Sequence, residues 1–153
     1  MKLIAFALLL SLLACTGGYK PATQNPSTFL FEIAGTRETL FNKTSLVLTS
    51  LGYELESKNP NEGIITTAPR VSKFMVEECD CGTYYNKPLV KDTASTVKIT
   101  LAISINNGTV EFNTKFTGDH RGKTGRIDRR LECMSTGEYE KQLAGFIAGK
   151  RLN

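Results

Sequence analysis

Three cysteines and one histidine carry most of the chemistry open to this chain. Cys79 and Cys81 flank Asp80, Cys133 lies far downstream, and His120 is the only histidine. Thiolates and imidazole suit soft metals such as zinc or copper(I), so Cys79, Cys81, Cys133 and His120 form a candidate ligand set for a metal-handling or thiol-dependent protein. Their spacing follows no recognised zinc pattern. In an oxidising compartment the same cysteines would form one disulfide and leave one thiol over. Cys81 with Cys133 is the preferred bridge, closing a loop of about fifty residues for roughly 4 kcal/mol in the chain-entropy model. Bridging Cys79 in place of Cys81 is the alternative. The preferred reading has no bound metal and no cofactor.

Any serine or cysteine nucleophile relying on a histidine base would have to use His120. No motif places one there, and Asp119-His120-Arg121-Gly122-Lys123-Thr124-Gly125-Arg126 reads as a solvent-facing loop. Gly122-Lys123-Thr124 hints at a phosphate loop, but Gly118 is one residue too close and no helix is predicted to follow. Neither catalysis nor nucleotide binding is expected. The remaining groups suit binding. Arg121, Lys123 and Arg126, with Arg129 and Arg130, form a basic cluster fit for phosphates of lipid A or phospholipid headgroups, or for an acidic partner. Its plain alternative is a solvated loop. Glu77, Glu78 and Asp80 form an acidic run beside Tyr84 and Tyr85 in a segment, 77–95, longer than most connectors. A bridge to Cys133 would pin this segment beside the last helix, making Asp80, Tyr84 and Tyr85 candidate contacts for an envelope protein or glycan. The net charge of +4 is too mild to argue for nucleic acid.

The elements that position these groups follow a leader. Met1 and Lys2 precede an apolar run, Leu3 to Leu13, too short to span a bilayer permanently and closed by the small Ala14 before Cys15. This reads as an export signal over residues 1–14. Leu12-Leu13-Ala14-Cys15 resembles the bacterial lipobox, which implies that Cys15 becomes the first residue and carries a thioether-linked diacylglycerol and an acylated amino group. An ordinary signal peptide cut nearby, with a plain thiol at Cys15, is the alternative. In lipoprotein terms, Thr16 stands where many inner-membrane lipoproteins carry aspartate. That favours the outer membrane, lipid-anchored and facing the periplasm, over the inner membrane. Residues 15–27 then read as a lipidated cysteine and flexible tether of turn formers and small polar residues, reaching about 40 Å when extended. Loss of Lys2 with the leader takes the charge from +4 to +3. Residues 28–153 are enough for one domain with a core of its own and too few for two.

Within that domain, Thr28 to Ile33 is β-prone, and Thr36 can cap a helix whose Leu40, Phe41, Thr44, Val47, Leu48 and Leu51 share one face before Gly52 stops it. Tyr53 to Glu56 and Ile64 to Thr67 predict a hairpin around Asn59-Pro60-Asn61-Glu62-Gly63, and Arg70 to Val76 a further extended piece. The clearest signal is Val97 to Phe116, where a two-residue Asn107-Gly108 turn sets Ile105 opposite Val110, Ile103 opposite Phe112 and Ile99 opposite Phe116. Ser135-Thr136-Gly137-Glu138 predicts a capping box, with Met134 and Tyr139 as its hydrophobic staple, for a last helix with Tyr139, Leu143, Phe146 and Ile147 on its apolar stripe. The expected fold is α+β, a two-layer sandwich with two helices on one face of an antiparallel sheet.

Leu46 to Thr67, a helix ending Leu51-Gly52-Tyr53 followed by strand, turn and strand, resembles the helix-grip domains in the lipoprotein of the outer-membrane barrel-assembly machinery. Uncharacterised single-domain bacterial lipoproteins also look like this, with a cysteine just before the Ser-Thr-Gly that opens the last helix, as in Cys133-Met134-Ser135-Thr136-Gly137. This chain departs from the assembly protein in its one domain, short tether and extra cysteines, so no barrel-assembly role is carried over. The resulting expectation is a membrane-anchored, non-enzymatic protein that binds or scaffolds envelope components.

Overall fold

The computed structural model describes residues 18–23 and 27–150. The leader and Cys15 lie outside these residues. In chain order the elements are β1 (Tyr19–Lys20), β2 (Thr28–Glu32), α1 (Arg37–Ser50), β3 (Leu55–Asn59), β4 (Ile64–Thr67), β5 (Arg70–Ser72), β6 (Cys79–Asp80), β7 (Thr83–Tyr84) and β8 (Lys87–Pro88). A 3-10 turn (Leu89–Lys91) follows, then β9 (Ser95–Asn106), β10 (Thr109–Arg121), β11 (Ile127–Ser135) and α2 (Glu138–Ile147).

The β9–β10 hairpin is the spine. Strict alternation of branched and aromatic side chains with polar ones puts Val97, Ile99, Leu101, Ile103 and Ile105 on one face, joined by Val110, Phe112 and Phe116, all buried. The pairing is Ile105 with Val110, Ile103 with Phe112 and Ile99 with Phe116. A one-residue slip would turn every one of these side chains outward, each forfeiting roughly 1.5–3 kcal/mol of burial. Alongside β9 run β4 and then β5, with Pro69 at the bend between them, while β2 and β11 share the other edge of β10. At Gly63 the backbone is left-handed (φ 71), and an added Cβ would sit 2.2 Å from the Ile105 carbonyl oxygen, so only glycine lets the β3–β4 turn close onto β9.

Both helices lie on the apolar face, giving the α+β two-layer arrangement. The Thr36 hydroxyl accepts from the Thr39 amide and caps α1, which buries Leu40, Phe41, Thr44 and Leu48. From α2, Leu143, Ala144 and Ile147 complete the core, and the hydroxyls of Tyr53 and Tyr139 meet where the two helices approach. The opposite sheet face, with Lys98, Lys115 and Arg130, lines an open groove of about 590 Å³.

Five expectations are corrected. Residues 119–126 are not a plain loop, because β10 runs on to Arg121 and pairs with β11, a strand the sequence reading omitted. The extended piece after Pro69 ends at Ser72. The α2 start is not a capping box: Gly137, left-handed at φ 91, is the N-cap, and Ser135 donates to Glu140 Oε2 at 2.8 Å instead of pairing with Glu138. Tyr139 packs edge-on against Phe74 and Phe116, in place of the expected staple. Lastly, residues 18–23 of the expected tether are docked: β1 pairs with β7, Tyr19 opposite Tyr84.

Candidate functional site

The short strands β1, β7 and β8 form a small sheet at one end of the molecule, and they position the tyrosines. Thr83 pairs with Pro88 and Tyr84 with Lys87, leaving Tyr85 and Asn86 as a two-residue turn with both residues left-handed, φ 47 and 60. That geometry matches strand twist but is costly for a bulky non-glycine residue. Tyr84 is 40% exposed and Tyr85 69%, their rings in edge contact at 4.6 Å. The Tyr85 amide donates to Gly18 O at 2.8 Å, and the Leu89 amide donates to Gly82 O, which ties down both ends of the unit.

Asp80 has a positioning role. Its Oδ2 accepts from the Thr23 amide at 2.9 Å and its Oδ1 from the Gly82 amide at 2.7 Å, so both oxygens hold backbone. Expected as a partner contact, Asp80 is placed by these bonds where it fixes the N-terminal segment and the bend into β7.

Cys81, directly after β6, and Cys133 on β11 are joined by a disulfide, with Cα atoms 4.1 Å apart. Cys79, buried and reduced, lies with its sulfur 3.6 Å from that of Cys81. Burial, and then the charges of Asp80, Glu140 and Glu78, push the Cys79 thiol up to about 12. The three sulfurs lie within 4.8 Å of one another, but with the bridge formed only Cys79 remains as a thiol donor. His120 stands apart from this cluster. Its Nδ1 is 3.1 Å from Ser95 Oγ and 4.0 Å from Asp92 Oδ2. A Ser–His–Asp relay needs the hydroxyl and carboxylate on opposite ring nitrogens, and here both address one. The histidine is also less solvent-facing than expected, half-buried against Tyr84 with ring centroids 6.2 Å apart.

The basic cluster crowns the β10–β11 hairpin. Gly122 and Arg126 close the turn through an amide–carbonyl bond of 2.9 Å, and Arg121 Nη1 donates to Gly125 O. Arg121, Lys123, Arg126, Arg129 and Arg130 are all exposed, and the Arg129 guanidinium lies 4.1 Å from the Tyr19 ring centroid. That contact, with His120 beside Tyr84, joins the basic tip to the tyrosine sheet as one surface. Sequence reasoning named both halves without joining them; Tyr19 and Ile127, the latter 48% exposed beside the turn, were the missed members. A two-residue strand leaves no periodicity to read.

Glu140 was also missed. It is fully buried, accepts from Ser135 through Oε2, and has no partner at Oε1 among the described residues. Its position at the spacing of Leu143, Ala144 and Ile147 was the available signal.

The fold is α+β, an antiparallel sheet with two helices on one face. No family model and no curated protein matches the chain. Among solved structures it is similar to a TBP-like protein from Parabacteroides distasonis, at 13% identity over 74% of this chain and 69% of that one, TM-score 0.43. It is also similar to a DUF4468 family protein from Bacteroides ovatus, at 7% identity over 84% of each chain, TM-score 0.41. Among the described residues no helix is long and apolar enough to cross a membrane.

Proposed function

We propose that this chain is a membrane-anchored bacterial lipoprotein with a non-enzymatic binding role in the cell envelope, acting through the surface of Tyr84, Tyr85, Arg121, Lys123 and Arg126. The lipobox resemblance supports acylation at Cys15, and Thr16 in place of an aspartate supports an outer-membrane, periplasm-facing location. The observation that carries the binding surface is the Tyr85–Asn86 turn, where an exposed tyrosine is held in left-handed backbone, φ 47. Such a residue costs roughly 1–3 kcal/mol, and strain of this kind clusters at functional positions. β1, the disulfide and the 3-10 turn hold it in place, which lowers the ordering cost of binding.

The test places a photocrosslinking residue at Tyr85 or, as control, at Glu56 on β3. Crosslinks to an envelope component from position 85 alone, lost in Lys123→Glu/Arg126→Glu, support the reading. Equal capture from both positions contradicts it. The sulfur cluster favours one second reading, a soft-metal protein active when a dithiol reduces the bridge. Metal bound to purified protein with three reduced cysteines would favour that rival.

A further inference from the structure

We infer that the surface of Tyr85, Ile127 and the basic hairpin tip rests on the phosphate-bearing headgroups of the membrane that holds the anchor, so that the domain lies with this end against the bilayer. This rests on acylation of Cys15, as proposed above.

The first support is where the docked segment ends. Gly18 is bound to Tyr85 by its carbonyl and lies so close that an added Cβ would come 2.6 Å from the tyrosine ring. Three peptide units separate Cys15 from Gly18, roughly 10 Å when fully extended, against about 40 Å for a free tether. The acyl chains therefore hold this end within about one Debye length of the headgroups.

Charge is the second support. Residues 119–130 carry five cations against two carboxylates. Lys20 adds a further cation, its ammonium 3.3 Å from Asn86 Oδ1 on the tyrosine turn. Each cation near an anionic membrane strengthens association about fivefold. Tyr85 and Ile127 supply the apolar and amphipathic side chains that favour a headgroup boundary. The third support is room. A folded partner of ordinary size is about 30 Å across and would not fit beneath a surface tethered at roughly 10 Å, whereas headgroups do.

The test uses purified lipidated protein in phosphatidylcholine vesicles with and without phosphatidylglycerol, after intact mass has shown the state of Cys15. Amides of residues 84–86 and 119–127 should exchange roughly fivefold or more slowly with the anionic lipid. Lys123→Glu/Arg126→Glu should abolish that slowing, with β9–β10 amides unchanged as the check on folding. Acylated protein whose exchange ignores lipid charge, or whose slowing survives the double substitution, overturns this inference while anchoring stands. Slowing that needs an added envelope protein overturns it too. Absence of acyl mass overturns the anchoring reading itself.

Discussion

The sulfur of Cys79 lies 3.6 Å from that of Cys81, which is bonded to Cys133, and all three are buried. Contact alone does not make an exchange centre, because the thiolate is the attacking species and burial keeps Cys79 protonated, with its pKa pushed up to about 12. In folded protein at about pH 8, iodoacetamide should leave Cys79 unmodified. Unfolding without reduction should expose one thiol within residues 18–150, read by peptide mass. Rapid labelling of the folded state would contradict this.

The same thiol gives an alkaline limit to stability. Its folded pKa stands above the ordinary 9.0, so the folded state keeps a proton that the unfolded state releases. The contribution is complete below about pH 9 and is lost toward about pH 12, at about 1.4 kcal/mol per pH unit. Burial also raises Tyr53 and Tyr139, which add to the loss at higher pH. Denaturation midpoints should fall more steeply from about pH 9 to about pH 10 for the native chain than for Cys79→Ala.

Breaking the bridge should cost more than a side chain's worth of contact. Cys133→Ser removes the closure of a loop with sequence separation 52, for about 4 kcal/mol by chemical denaturation. Ser135→Ala should cost about 2 kcal/mol, since it leaves Glu140 without its donor and the Gly137 amide without its acceptor. Adding Glu140→Met should recover part of that loss, because an apolar side chain needs no partner.

Gly82→Ala should release the N-terminal segment. At φ 79 an added Cβ would meet the Lys20 carbonyl oxygen at 2.2 Å, so β1 would have to leave β7. Amide exchange at Lys20 and Thr23 should rise sharply while β9–β10 stays protected. Asp80→Ala should act the same way at Thr23.

The β9–β10 hairpin was legible because its alternation is long and its Asn-Gly turn admits one register. β11 was not, since Leu131, Cys133 and Ser135 form its buried face and two of those three do not look apolar beside Arg129, Arg130 and Glu132. The site was legible in its parts. Tyr84, Tyr85 and the arginines stand out in the sequence, but the contact between Arg129 and Tyr19 that unites them spans more than a hundred residues and leaves no local trace. The positioning role of Asp80 was not legible, because the Thr23 and Gly82 amides that its oxygens accept are brought to it only by the fold.

Anchoring at Cys15 is tested by intact mass and N-terminal peptide mass of the protein isolated from membranes. The expected result is a chain beginning at Cys15 with diacylglycerol and an acyl group on that residue. A chain beginning elsewhere, or an unmodified thiol at Cys15, would rule out the lipid anchor.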